Sequence, residues 1–263
     1  MKIILVTPAG RERYLKILYK YLNLQKSDFD EWHLWLNTKN IDDLKYMEKL
    51  SNENNFIKLI TRNIPNEKLG TNKGIRYFFD YCINKDTIYI RLDDDIVFLE
   101  NNFIKKLSEF RMNNKKYPLV YANIINNNFI NYYHSKNKIF DIDIDNNCCG
   151  KLWQSKIAPI IIHTQFLNDI NNNNISKYYL EDIIIKDYQR VSINAISWIG
   201  GDFDNFKEIN DGEENWLSNE YPSKIKRPNI ICGSVLCSHA AFFTQRTNEL
   251  ENLIQNYNLI NNK

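Results

Sequence analysis

No stretch of this chain is rich in proline, glycine or serine: its 263 residues include 8 glycines and 6 prolines, too scattered to form a flexible linker. One domain over residues 1–263 is therefore expected, with a first part over 1–100, a second over 101–246 and a terminal helix over 247–263. No apolar run approaches the roughly 18 residues of a membrane-spanning helix. The opening run, residues 1–6, is too short for a signal peptide, so a soluble, cytoplasmic protein is expected. Charge of one sign is not in excess either, and a net charge of +2 argues against a general nucleic-acid binder. The five cysteines, Cys82, Cys148, Cys149, Cys232 and Cys237, are odd in number and lack the paired spacing of a zinc site. Cys148 and Cys149 are adjacent and poorly placed to bridge each other, so reduced thiols are expected.

What is present fits a globular α/β protein. Hydrophobic residues make up 43% and aromatic residues 13% of the chain, enough for a substantial core. Apolar runs over 2–7, 32–37, 56–61 and 87–92 read as strands. Between them, 11–24, 41–50 and 72–84 read as helices, an alternation that indicates a mainly parallel central sheet. A helix over 102–113 and a strand over 119–125 follow. The second half is less regular: 140–149 reads as loop, 156–170 as helix or strand, and 213–219 as a short helix behind Gly212.

The most telling segment is Leu92-Asp93-Asp94-Asp95-Ile96, where a buried strand ends in three carboxylates. Adjacent like charges repel by several kcal/mol in a partly desolvated site unless a cation offsets them. A divalent ion is therefore expected, and Mg²⁺ or Mn²⁺, which take oxygen ligands and keep positions open for phosphates, fit best. If the strand continued through the triplet, Asp93 and Asp95 would face one side and Asp94 the other. A solvated turn between two strands is the competing reading. Ligands of open α/β sheets bind beyond the carboxyl ends of the strands, where these aspartates fall.

With Val6-Thr7-Pro8 at its start and Leu92-Asp93-Asp94-Asp95 closing its first part, the chain resembles the nucleotide-sugar-binding half of family-2-like glycosyltransferases with the A-type fold. Gly212-Glu213-Glu214-Asn215-Trp216-Leu217 resembles the Glu-Asp motif that supplies the base in inverting members, with Glu where the family commonly has Asp. Ser238-His239-Ala240-Ala241-Phe242-Phe243 resembles a late metal-binding histidine. The matches span about residues 3–246. The resemblance implies a Rossmann-like fold, a nucleotide-diphospho-sugar donor, by family frequency a UDP-sugar, and a glycan, lipid or protein acceptor attacking through a hydroxyl. It makes Asp95 and His239 metal ligands, and Asp93 a ligand through water or a partner of the ribose.

The same resemblance makes Glu214 the base, with Glu213 its fallback and Asp202 and Asp204 further candidates. A carboxylate pair at a helix start also has a purely structural use, worth about 0.3 to 1 kcal/mol each against the helix dipole. Thr7, Pro8, Arg11, Asn37 and Asp94 fall where nucleotide contacts are expected. Lys73 and Arg76, three apart on a helix, could reach the diphosphate. For the acceptor, Trp153, His163, Trp198 and Trp216 are candidate platforms, although most tryptophans and a histidine beside aromatics serve a core.

Two other functions compete for these residues. A sugar-phosphate nucleotidyltransferase uses a related sheet and metal-bound carboxylates, but opens on a glycine-rich phosphate loop, of which Thr7-Pro8-Ala9-Gly10-Arg11 is a thin version. A non-catalytic carbohydrate-binding protein of the same fold is the other. Metal-dependent turnover of a sugar nucleotide separates it from an enzyme.

Overall fold

Tyr14, Leu15, Ile17, Leu18, Tyr21 and Leu22 recur at helical spacing, and all are buried along one side of the first helix. The computed structural model describes residues 1–203, 206–209 and 212–260. The chain runs β1 (Lys2–Ala9), α1 (Glu12–Leu24), β2 (Glu31–Leu36), α2 (Ile41–Glu53), β3 (Ile57–Ile60), α3 (Asn72–Ile75), β4 (Thr87–Leu92) and β5 (Ile96–Leu99). It continues through α4 (Phe103–Asn113), β6 (Val120–Ile125), α5 (Asn128–Lys136), α6 (Lys151–Gln154), α7 (Ala158–Asn171), β7 (Ile183–Ile184) and β8 (Ala195–Ile199). Last come α8 (Glu213–Asn215), α9 (Tyr221–Ile225), β9 (Ile230–His239) and α10 (Asn248–Ile254). Caps fix several helix starts: Asn40 accepts from the Asp42 N–H at 2.8 Å, and Thr247 Oγ1 from the Leu250 N–H at 3.2 Å.

Among the described residues the strands form a 9-stranded sheet in the order β3-β2-β1-β4-β8-β6-β9-β5, with β7 paired to β9. β1, β2, β3, β4, β6 and β9 run one way, and β5, β7 and β8 run the other. The sheet is thus mostly parallel, as the alternating sequence pattern implies. β4 lies between β1 and β8 and is buried on both faces, which accounts for a mostly apolar sequence interrupted only by Thr87 and Arg91. Only Asp93, Asp94 and Asp95 separate β4 from β5, yet β8, β6 and β9 lie between those two strands in the hydrogen-bonding order. The sheet therefore curls, and the aspartates sit where it closes on itself.

The expected helix over 72–84 is α-helical only over Asn72–Ile75 and then tightens to a 3-10 helix over Arg76–Tyr81. In that form Phe78 and Phe79 both reach Trp35, with ring centroids 5.3 and 5.2 Å away. Aromatic packing sets the local geometry here. The 156–170 segment is the helix α7, and 140–149 holds neither helix nor strand. The five cysteines form no disulfide. Among the described residues no helix is long and apolar enough to cross a membrane.

Candidate active site

The carboxyl ends of β1, β4 and β9 open onto a cavity of about 760 Å³, lined by Pro8, Arg11, Asp93 to Asp95, Glu213, Glu214 and His239. A shallower depression of about 610 Å³ lies at the opposite ends of β2 and β3, near Asn23, Lys26 and Phe56. It brings no comparable set of charges together.

The Asp triplet does not continue the strand. The Ile96 N–H donates to the Asp93 carbonyl at 3.1 Å and closes a turn, so the side chains fan out instead of alternating faces. Asp94 and Asp95, expected on opposite sides, share Arg11. Arg11 Nε lies 3.0 Å from Asp94 Oδ1, Arg11 Nη1 lies 2.9 Å from Asp95 Oδ2, and the Gly10 N–H donates to Asp94 Oδ2 at 3.1 Å. Both aspartates are buried. Burial raises the Asp94 carboxyl above its usual range despite Arg11. Burial also pushes on Asp95, but Arg11 and then His239 outweigh it and hold that carboxyl well below the usual range. The same burial and the same arginine thus shift the two carboxyls in opposite directions.

His239 comes from the end of β9. Its Nδ1 lies 3.3 Å from the Asn126 carbonyl and its Nε2 lies 3.4 Å from Asp95 Oδ2. A carbonyl partner requires the proton on Nδ1, so in the neutral ring Nε2 presents a lone pair beside the Asp95 oxygen. Burial works against protonation, but Asp95 raises the imidazole above its ordinary value. Among the described residues no third His, Cys, Asp or Glu joins this pair as a ligand set. One carboxylate and one imidazole suit a small divalent cation whose other positions are filled by water and phosphate oxygens.

Asp93 belongs to a different group. Arg91 Nε donates to Asp93 Oδ1 at 2.9 Å, Asn194 Nδ2 donates to Asp93 Oδ2 at 3.1 Å, and Arg91 Nη1 lies 3.2 Å from Glu213 Oε1. Arg91 and Glu213 are almost fully buried, and burial raises the Glu213 carboxyl even though Arg91 pulls it down. Glu214, its neighbour, is 27% exposed at the cavity wall. Arg190 Nε and Nη2 approach its Oε1 at 2.8 and 2.6 Å, and Cys148 Sγ at 3.5 Å. The adjacent carboxylates thus differ: one is locked into a buried ion pair and one faces the open space.

Trp153 and Trp216 line the cavity, Trp153 edge-on to Phe243 with ring centroids 5.3 Å apart. The other two acceptor candidates are core residues. His163 is fully buried between the Tyr257 hydroxyl and the Ala240 carbonyl, each 2.8 Å away. Trp198 stacks on Tyr89 and donates to the Cys82 carbonyl at 3.3 Å.

Several expected nucleotide contacts also have other partners. Thr7 is fully buried and accepts from Trp32 Nε1 at 2.9 Å. Asn37 braces the 70–71 turn, accepting from the Gly70 N–H and donating to the Thr71 carbonyl, both at 2.9 Å. A Cβ at Gly74 would come within 2.6 Å of Asn37 Oδ1, so glycine is required for that approach. Lys73 is exposed outside the cavity lining, while Arg76 Nη1 donates to the Ile209 carbonyl at 2.8 Å. Here Asn72 and Ile75 face the cavity instead. Asp202 accepts from the Ile199 N–H at 2.7 Å, and Asp204 lies outside the described residues.

Arg91, Arg190, Asn194 and Arg246 are site residues that sequence reasoning did not assign. Arg91 carried a signal, because a lone cation inside a buried strand must have a buried partner. The other three lie on loops without periodicity.

The architecture defines a Rossmann-like α/β fold with its cavity at the carboxyl edge of a mostly parallel sheet. No protein-family model matches the sequence, and no curated protein does. Among solved structures, one of a mycobacterial protein covers 97% of this chain and 72% of that chain at 10% identity, with a TM-score of 0.51. Another, of CMP:2-keto-3-deoxy-manno-octonic acid synthetase complexed with CTP, covers 90% of this chain and 89% of that chain at 9% identity, with a TM-score of 0.45. The first likeness is one of fold alone.

Proposed function

We propose that this chain is a metal-dependent glycosyltransferase that moves a sugar from a nucleotide-diphospho-sugar, a UDP-sugar by resemblance, to a hydroxyl of a glycan, lipid or protein acceptor with inversion. The observation that supports this reading is one cavity holding the Asp95–His239 pair together with the outward-facing Glu214 carboxylate. Asp95 and His239 would hold Mn²⁺ or Mg²⁺, which when bound neutralises charge on the departing diphosphate. Glu214 accepts the proton of the acceptor hydroxyl as its oxygen attacks the anomeric carbon and the bond from that carbon to the diphosphate breaks. Nucleoside diphosphate and glycoside are the products. Arg190 and Cys148 both engage Oε1 of Glu214, which leaves Oε2 for that proton. Buried Glu213, paired with Arg91, serves structure rather than proton transfer.

The test is thermal melting with sugar nucleotides and nucleoside diphosphates, each with Mn²⁺ and with chelator, followed by assay of the ligand that shifts the melt. A bound ligand raises apparent stability by RT ln(1 + [L]/Kd). Metal-dependent stabilisation and release of nucleoside diphosphate are expected. Pyrophosphate release from a nucleoside triphosphate and a sugar phosphate would establish the nucleotidyltransferase instead. No shift with any nucleotide would leave a non-catalytic carbohydrate-binding protein.

A further inference from the structure

Oxygen Oε1 of Glu214 meets two donors, the Arg190 guanidinium and the Cys148 thiol, with Cys148 Sγ 3.5 Å away. Cys148 Sγ also lies 3.2 Å from Ser192 Oγ. A neutral thiol carries a single proton, so one that donates to the carboxylate must accept from the hydroxyl. Ser192, Cys148 and Glu214 therefore form a relay in which each proton points toward the carboxylate. We infer that Cys148 is a positioning residue that holds Glu214 ready to take a proton on its other oxygen. This inference rests on the transferase reading of the same cavity.

Two consecutive buried asparagines, Asn127 capping α5 and Asn128 opening it, fix the hydroxyl and the turn that carries the thiol. Asn127 Nδ2 donates to the Ser192 carbonyl at 3.0 Å, while Asn128 Nδ2 donates to the Asp145 and Asn147 carbonyls at 2.8 and 2.5 Å. Asp145 closes that turn: its Oδ1 accepts from the Asn147 N–H and its Oδ2 from the Lys151 N–H, both at 3.2 Å. Gly150 permits the closure, because a Cβ there would come within 1.6 Å of Asp145 Oδ1. The thiol is thus delivered by a braced turn, and little ordering is left for the moment a substrate arrives.

Cys148 is almost fully buried, and burial first, then the charge of Glu214, push its thiol up, so it keeps its proton and remains a donor. Among the described residues Arg190 and the Tyr121 hydroxyl also face Glu214, and burial keeps that hydroxyl protonated too. Glu213 turns away to Arg91. A donor to a carboxylate favours its ionised form, so losing one makes the base harder to keep charged. The Arg190 side chain is 47% exposed, and water competes for its contact. The buried thiol is the contact that solvent does not loosen.

Infrared difference spectroscopy reads that contact directly. Subtracting the Cys148→Ser spectrum from that of wild type isolates the Cys148 S–H stretch, and Glu214→Gln, which removes the charged acceptor, should move the band to higher frequency. Transfer kinetics then read its use, with the sugar nucleotide that stabilises wild type in the melting test. Cys148→Ala should lower kcat by about 3- to 10-fold with KM for the donor within about twofold. It should also move the acidic limb of the rate profile up by about half a pH unit, the scale of one weak hydrogen bond to a charged group. Cys148→Ser, which keeps a donor, should recover most of both effects. A band that ignores Glu214→Gln, or equal losses in Cys148→Ala and Cys148→Ser, overturns the inference and leaves the transferase reading standing. If wild type transfers no sugar from any sugar nucleotide, both fall together.

Discussion

Arg91 joins Asp93 to Glu213: one guanidinium, buried in the middle of the sheet, donates at 2.9 Å to the aspartate turn and lies 3.2 Å from the first residue of α8. The strand end that carries the aspartates and the helix that carries Glu214 are thereby tied through a single side chain.

Removing that cation strands two carboxylates. Arg91→Met should cost about 3–5 kcal/mol in urea denaturation, the usual penalty for breaking a buried ion pair from one side. Adding Glu213→Gln should return part of it, with a coupling of about 1–3 kcal/mol. Strictly additive losses in the double variant would show that the two residues do not act as a pair.

On the proposed function, Asp95 and His239 would hold the metal. Asp95→Ala and His239→Ala should each abolish Mn²⁺-dependent nucleotide binding, read by calorimetry with metal and with chelator. Asp94, held by Arg11 and the Gly10 N–H, serves as the contrast, and Asp94→Asn should retain metal dependence. Metal-dependent binding that survives in the Asp95 variant would remove Asp95 from the ligand set.

Glu214 and Glu213 should separate cleanly. Glu214→Gln should spare nucleotide binding and lower transfer by about 10²- to 10⁴-fold, the contribution of a general base. Glu213→Gln should act mainly on stability. Transfer at the wild-type rate in Glu214→Gln would assign the proton to another group.

Burial pushes the His134 imidazole down to about 4 and that of His163 down to about 3. In the unfolded chain each histidine takes up a proton near its ordinary value of about 6.5, whereas the folded protein keeps both neutral until those lower values. Their contribution to stability is therefore complete above about pH 6.5 and is lost as the pH falls. Each should remove about 1.4 kcal/mol per pH unit on the way down, His134 until about pH 4 and His163 until about pH 3. Urea unfolding at about pH 7 and about pH 5.5 reads the slope. His163→Phe should shrink it, and an unaltered slope in that variant would mean His163 is not one of the groups responsible.

Most of the first hundred residues are legible because α1 shows a buried stripe and β1, β2, β3 and β4 are short apolar runs, whereas β5 and the 3-10 turn over Arg76–Tyr81 are set by tertiary pairing and aromatic packing. The Asp triplet was legible as a site because like charges at a strand end demand a partner. Its geometry was not, since the turn that sends Asp94 and Asp95 to Arg11 depends on a residue 83 positions away from Asp94. β9 escaped notice because it is buried along nearly all its length and shows no alternation. The helix α5 was hidden by its polar sequence, as Asn128, Asn131 and His134 are buried with their polar atoms turned inward. Trp198 and His163 look like ligand platforms by residue type alone. Only tertiary packing reveals them as core.

The strand β9 pairs with β5, β6 and β7 and ends on His239. Ribosomes make chains from the amino end, so a nascent chain can assemble β1 to β4 while the edges that β9 will cover still stand open. The first half of the sheet gathers through local parallel units, but its closure waits for the contact between Asp95 and His239. Folding rate falls with the sequence separation of contacts, so that closure is expected to be the slow event. The most aggregation-prone moment of this protein's synthesis is therefore expected just before its cavity exists, when β5 has no strand partner and β6 lacks one of its two.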